Sequence, residues 1–387
     1  MMKKVLLKPR FSGMSLHSLY QNILENPPNG YTVEYNETNS KNFVYSIDNK
    51  STNPIIRKLI YNLKPIPYIF AQKQQKNNLN YDLIYASQHL LYNYENPWIT
   101  DCEFVNAFAA FGNISLVKGS IRKRLEAKSC KFILPWSDWS KKTILNSIDC
   151  KNLENKIKVV RYSVKPKKFI KKDHDGVNFL FVGSSNLMNS RNIQFKNLKE
   201  TIIAFDRIST KYDQISFTIR SYVPEELKEI AKKNSKIKII ENFLKEEELF
   251  DLYVNSDIFV LPSHETSGIS LLDAMSFQIP VIAMGIYDIP ETITHLKNGI
   301  LISPPPKMKY YTKTMTPNDH SLDFIHGMKK YSEYIINQLE KHFAILIEDS
   351  ELRKKIGTNA RETIEKGEFS LENQNQKLLS IFNEATE

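Results

Sequence analysis

The sequence predicts an α/β protein made of two doubly wound domains, and three observations carry that prediction. Short apolar runs bounded by polar residues alternate with helical patterns, as buried parallel strands and their crossover helices do. The alternation occurs twice, with a Lys- and Pro-containing stretch at 164–175 between the two series that reads as a linker. The length, 387 residues, is that of about two domains.

In the first series, 4–7 reads as a strand, 9–13 as a loop and 16–24 as a helix. The runs at 82–86, 98–100 and 131–135 read as further strands. The second series begins with a strand at 178–183 and continues through 215–219, 237–240, 258–261 and 281–283, with a helix at 246–253. Residues 303–325, which include Pro304-Pro305-Pro306, read as a loop or insertion. Amphipathic helices follow near 328–348, 352–366 and 371–385.

Hydrophobic residues make up 41 % and charged residues 25 %, which places the chain among globular rather than disordered proteins. No apolar run reaches the roughly 18 residues of a membrane-spanning helix. Met1-Met2-Lys3-Lys4 is followed by only Val5-Leu6-Leu7, too short for the apolar core of a signal peptide, so a cytoplasmic protein is expected. Cys102, Cys130 and Cys150 have no metal or redox spacing and are expected to be reduced thiols. The net charge of +10 is unevenly spread: residues 1–170 hold 26 Lys+Arg against 12 Asp+Glu, and the remainder 27 against 31. A basic first half attracts anionic partners; a Lys-rich bias alone leaves the acidic second half unexplained.

The most informative segment follows the run at 258–261 and reads His264-Glu265-Thr266-Ser267-Gly268-Ile269-Ser270-Leu271-Leu272-Asp273. A helix is expected over 269–277, with Gly268 at the junction. A small residue there admits close backbone approach, and a helix N-terminus offers N–H groups and a positive dipole end. Two carboxylates then flank an anion-binding turn. Either they hold sugar and ribose hydroxyls around a diphosphate, or they are solvated acids on an ordinary strand–turn–helix unit.

The segment resembles the E-x7-E signature of retaining glycosyltransferases of family 4, with Asp273 in place of the second Glu. Pro280-Val281-Ile282-Ala283, Pro290-Glu291 and Asn298-Gly299 fall where that family has its next strand, a Pro-Glu pair and a small turn. The resemblance implies the GT-B fold, two Rossmann-like domains facing across a cleft that holds the active site. It implies an acceptor-binding domain over 1–168, a nucleotide-sugar-binding domain over 169–368 and a closing helix over 369–387 that packs back on the first domain. It is specific over 178–302 and 352–385, and rests mainly on architecture over 1–170.

Site residues follow from the same resemblance. Lys196, in Phe195-Lys196-Asn197-Leu198, aligns with the family lysine that contacts the donor diphosphate, although the usual Gly after it is Asn197 here. A fixed ammonium stabilises the charge that develops on a leaving diphosphate. Glu265 would contact the transferred sugar. The backbone of Ser267, Gly268, Ile269 and Ser270 would hold sugar and phosphate oxygens, and Asp273 would accept from the ribose. Gly183-Ser184 ends a strand where ligands bind in open α/β sheets; it faces a phosphate or is a plain turn. The family has Gly-Arg there, and Arg191 either replaces that Arg or is a solvated loop charge. Family members place a His after the strand at 97–100, where this chain continues Asp101-Cys102-Glu103. Glu103, or Asp101, takes the place facing the sugar, or both cap the next helix. His89 is expected to be structural. Asp173-His174-Asp175 matches a D-x-D metal motif but lies in the linker, and no metal or other cofactor is expected. There is no Walker loop or Rossmann Gly fingerprint.

The implied activity is transfer of a sugar from a UDP- or GDP-sugar to an acceptor hydroxyl with retention. The acceptor would be a glycan or a lipid-linked molecule, anionic by the charge argument, met at the inner face of the membrane by peripheral contact. A nucleotide-sugar-binding protein that has lost catalysis, an epimerase and a phosphorylase are the alternatives. Nucleic-acid binding would rest on charge alone and is not expected.

Overall fold

The computed structural model describes residues 2–10, 18–35, 54–74, 80–149, 151–171, 174–183, 190–266 and 268–387. The chain forms two compact units. One comprises Met1–Ser163, Lys309–Leu322 and Leu371–Glu387; the other comprises Val164–Met308 and Asp323–Ser370.

In the first unit, β1 (Lys3–Lys8), β2 (Tyr31–Tyr35), β3 (Leu83–Ala86), β4 (Trp98–Cys102) and β5 (Cys130–Pro135) form a parallel sheet in the order β2-β1-β3-β4-β5. Every residue of β3 and β4 is buried, which is why β3 reads as an unbroken apolar run, whereas β4 also buries Thr100 and Asp101. β2 has no apolar run to announce it. Only Tyr31 is buried, and the strand sits at the edge of the sheet. The helix Leu371–Thr386 belongs to this unit. Its Phe382 lies edge-on to Tyr31 at 5.2 Å, and the Tyr31 hydroxyl donates to Asn383 Oδ1 at 2.9 Å. The segment Lys309–Leu322 is anchored here too: Trp139 Nε1 donates to the Met315 carbonyl at 3.0 Å, and the His320 ring lies 4.2 Å from Tyr61.

In the second unit, β6 (Val177–Val182), β7 (Ile215–Arg220), β8 (Ile237–Ile240), β9 (Ile258–Leu261), β10 (Val281–Met284) and β11 (Ile300–Ile302) are also all parallel, in the order β11-β10-β9-β6-β7-β8. The order reverses between β6 and β9. That reversal opens a crevice at the strands' carboxyl ends, where open α/β sheets bind ligands. Phe179 packs edge-on against Phe205 at 5.5 Å and Phe343 at 4.9 Å, tying the sheet to its covering helices. The helix expected over 328–348 is broken at Tyr331, into Leu322–Lys330 and Ser332–Glu348. The Ser332 hydroxyl donates to Glu200 Oε1 at 2.6 Å at the break.

Candidate active site

The loops that follow the helix Ser190–Phe195 and strand β9 are fastened to each other through their backbones. His264 N donates to the Phe195 carbonyl at 2.6 Å, and Asn197 Nδ2 donates to the Pro262 carbonyl at 2.6 Å. Both loops also pack on Phe324: Phe195 stacks on it at 6.0 Å and the His264 ring meets it edge-on at 5.6 Å. Asn197 has φ +53°, the left-handed region that favours Gly and that Asn tolerates best among the others. The residue that departs from the family pattern thus keeps the conformation a Gly would supply, and adds a hydrogen bond.

With the backbones tied, the side chains meet. Lys196 Nζ lies 2.9 Å from Glu265 Oε2, and both groups are only partly exposed. Ser263 fixes the approach of Glu265 by accepting from its backbone N–H at 3.0 Å. This Ser–x–N–H turn has a local sequence signature, but sequence reasoning did not single it out. The pair lies in a recess at the carboxyl ends of β9 and β10. Its polar wall is Lys196, Ser263, Glu265, Thr266 and Ser270; its apolar wall is Leu261, Leu271, Ala283, Met284 and Ile289.

Gly268 lines the recess and is the N-cap of the helix Ile269–Ser276, with no side-chain cap. A Cβ there would lie 2.3 Å from Leu271 Cδ1, so the position is sterically reserved. Ile269 opens the helix and Ser270 reaches the recess. Asp273, one turn further on, does not line it. It is mostly surrounded by protein, and burial pushes its carboxyl up to about 6 while Lys167 pulls the other way. Gly183 ends β6 without lining the recess; its N–H donates to the Arg220 carbonyl at 2.8 Å. Arg191 falls in the helix Ser190–Phe195. Ser184 and Ser267 lie outside the described residues, as do Cys150 and Asp173. His174, from the D-x-D match, pairs with Asp257 at 3.3 Å.

Glu103 belongs to the first unit, half-buried after β4, and its carbonyl accepts a hydrogen bond from Ser140 Oγ. At the start of the next helical turn, Val105 N donates to Thr143 Oγ1 at 3.0 Å. Asp101 is held inside the first unit. It is buried and accepts from Tyr20 Oη at 2.8 Å, Trp136 Nε1 at 2.9 Å and Gln88 N at 2.7 Å. Burial still raises it to about 6. His89 is buried, with Nδ1 3.0 Å from the Ser87 carbonyl, and burial lowers it to about 3.

Residues 176–314, which contain the whole recess, match the family described as "Glycosyl transferases group 1". No curated protein matches the sequence. Among solved structures, a glycosyltransferase from Rickettsia africae is similar with a TM-score of 0.61 at 17 % identity, over 99 % of this chain and 98 % of that one. HepE of Anabaena, solved with UDP and glucose, gives 0.59 at 13 % identity over 98 % of both chains. The sucrose-phosphate synthase of Thermosynechococcus elongatus gives 0.62 at 13 % identity over 98 % of both chains. Two parallel-sheet α/β domains with these neighbours make the fold GT-B.

Proposed function

We propose that this chain, a GT-B glycosyltransferase with a group 1 glycosyltransferase domain in its second unit, moves a sugar from a nucleotide-diphosphate sugar to an acceptor hydroxyl with retention of configuration. The observation that supports this best is the Lys196–Glu265 contact of 2.9 Å in the recess at the sheet's carboxyl edge. Without ligand the two charges neutralise each other. An arriving diphosphate takes the ammonium, and the freed carboxylate turns to the sugar hydroxyls.

In the reaction the sugar C1–O bond to the diphosphate breaks while the acceptor oxygen bonds C1 on the same face. The acceptor proton passes to the departing diphosphate. Negative charge grows on that diphosphate, where Lys196 and the N-terminus of the helix Ile269–Ser276 stand ready to receive it. Ser270 and the turn at Gly268 hold sugar and phosphate oxygens. Asp273 accepts from the ribose after the donor is bound, and Glu103 on the first unit faces the acceptor. The basic surplus of residues 1–170 favours an anionic glycan or lipid-linked acceptor.

HepE was solved with UDP and glucose, so UDP-glucose is the first donor to try, followed by GDP- and ADP-sugars. The test is thermal shift with each donor, on the wild type and on Lys196→Ala and Glu265→Ala, followed by donor hydrolysis without acceptor. Stabilisation by one donor that both variants lose is the expected result. No shift with any donor, or a shift that survives both substitutions, sinks the reading.

A further inference from the structure

The first unit carries a cluster of apolar side chains turned to solvent. Ile56, Leu59 and Leu63 on the helix Pro54–Leu63, Ile66 and Phe70 on the helix Pro65–Gln74, and nearby Leu116 are each 45 to 62 % exposed. Ile56, Leu59 and Leu63 recur at three and four residues on the first helix, and Ile66 and Phe70 at four on the second, so each helix turns one apolar stripe outward. Leu116 adjoins them because Asn113 is bound to the end of the first helix: its N–H donates to the Tyr61 carbonyl at 2.9 Å and its Nδ2 to Asn62 Oδ1 at 2.8 Å. The outward face is not misplaced core. The second helix already buries Tyr68, Ile69 and Gln72 on its other side.

Charge says what covers this face. The sequence has no Asp or Glu from 49 to 81, but has Lys50, Arg57, Lys58, Lys64, Lys73 and Lys76. It has none from 104 to 125 either, around Leu116 and Lys118. Lys58 and Lys73 are exposed among the apolar side chains. Lysines interleaved with apolar residues along a helix face match an anionic bilayer surface, where the apolar groups enter the acyl boundary and the ammonium groups stay with the phosphates.

We infer that the face formed by Ile56, Leu59, Leu63, Ile66, Phe70 and Leu116 docks the protein on an anionic lipid surface. The inference goes beyond the transferase reading and stands or falls separately from it. No helix among the described residues is long and apolar enough to cross a membrane, so this contact lies on the bilayer rather than through it.

The experiment is flotation with vesicles of phosphatidylcholine alone and with about one-third phosphatidylglycerol, at low and high salt. It compares the wild type, the triple variant Leu59→Ser/Leu63→Ser/Phe70→Ser, and Phe243→Ser, which removes an exposed apolar residue of the second unit. The expected result is wild-type binding to the anionic vesicles that weakens with salt, falls at least about tenfold in the triple variant and is unchanged in Phe243→Ser. Equal binding by the triple variant, or no wild-type binding to anionic vesicles, overturns the inference. So does a wild type that self-associates in solution while the triple variant is monomeric, since the face is then a contact between copies. The donor thermal shift, run on the same samples, is expected in all three proteins. Its presence shows the triple variant folded, and its absence from every sample implicates the donor site rather than this face.

Discussion

Both sheets reverse their strand order at one point, between β1 and β3 in the first unit and between β6 and β9 in the second, yet polar residues at the two carboxyl edges are used in opposite ways. In the first, Lys8 is buried under the Tyr94 ring at 5.3 Å, His89 is tied to the Ser87 carbonyl, and Asp101 accepts three hydrogen bonds. In the second, Lys196 and Glu265 have each other, in a recess open to solvent. The same winding of chain thus yields one edge whose polar groups hold the unit together and one whose charged pair stands in an open recess.

The contrast breaks most easily at Lys196. Lys196→Ala is expected to lower turnover by ~10²–10³-fold without loss of fold, measured by steady-state transfer alongside circular dichroism. A comparable fall from Asp101→Ala, per folded molecule, would erase the distinction. Instead Asp101→Ala should appear in urea unfolding. It strips three donors of their acceptor in a buried place and should cost about 3 kcal/mol.

Asp273 sharpens the comparison through pH. Burial raises its carboxyl from 3.8 to about 6, so the folded protein holds this proton more tightly than the unfolded chain. The stability this gives is full below pH 3.8 and is lost as the pH rises through 6. Asp273→Asn should therefore stabilise the ligand-free protein by up to about 2 kcal/mol at neutral pH and by nothing at pH below about 4. Thermal unfolding of both proteins across that range checks it, and a gain that grows on acidification would reverse the assignment. The smallest effect is at Asn197. Asn197→Gly keeps the left-handed backbone and gives up the bond to the Pro262 carbonyl, for a loss of about 0.5–1 kcal/mol. Asn197→Ala, strained as well, should lose more.

The strands legible in the sequence are those with an apolar run, continuous where both faces are buried, as in β9, alternating in β7, and present even at the edge in β8, whose Ile237, Ile239 and Ile240 are only half-buried. β2 is not, because Val33 is its one aliphatic residue, and β11 is not, because it is three residues long. The segment Lys309–Leu322 read as a loop, but its anchorage on Trp139 and Tyr61 joins residues far apart in the chain, which no local pattern reports. At the candidate site, motif alone singles out Lys196 and Glu265, whereas their meeting depends on bonds from Phe195 to His264 and from Asn197 to Pro262 that spacing does not reveal. The environment of Asp273 was illegible for the same reason: its motif position says carboxylate, and only packing says that the carboxylate is held back from ionising.

The helix Leu371–Thr386 sets an order of events. Phe382 covers Tyr31 and Tyr85, Lys3 Nζ donates to Thr386 Oγ1 at 2.8 Å, and Ser163 Oγ donates to Gln374 Oε1 at 2.6 Å. A ribosome delivers residues 371–387 after both pieces of the second unit, Val164–Met308 and Asp323–Ser370, have been made. The unit that starts first is therefore finished last. Until residues 371–387 are made, Tyr31 and Tyr85 lack the Phe382 ring that packs on them in the finished unit.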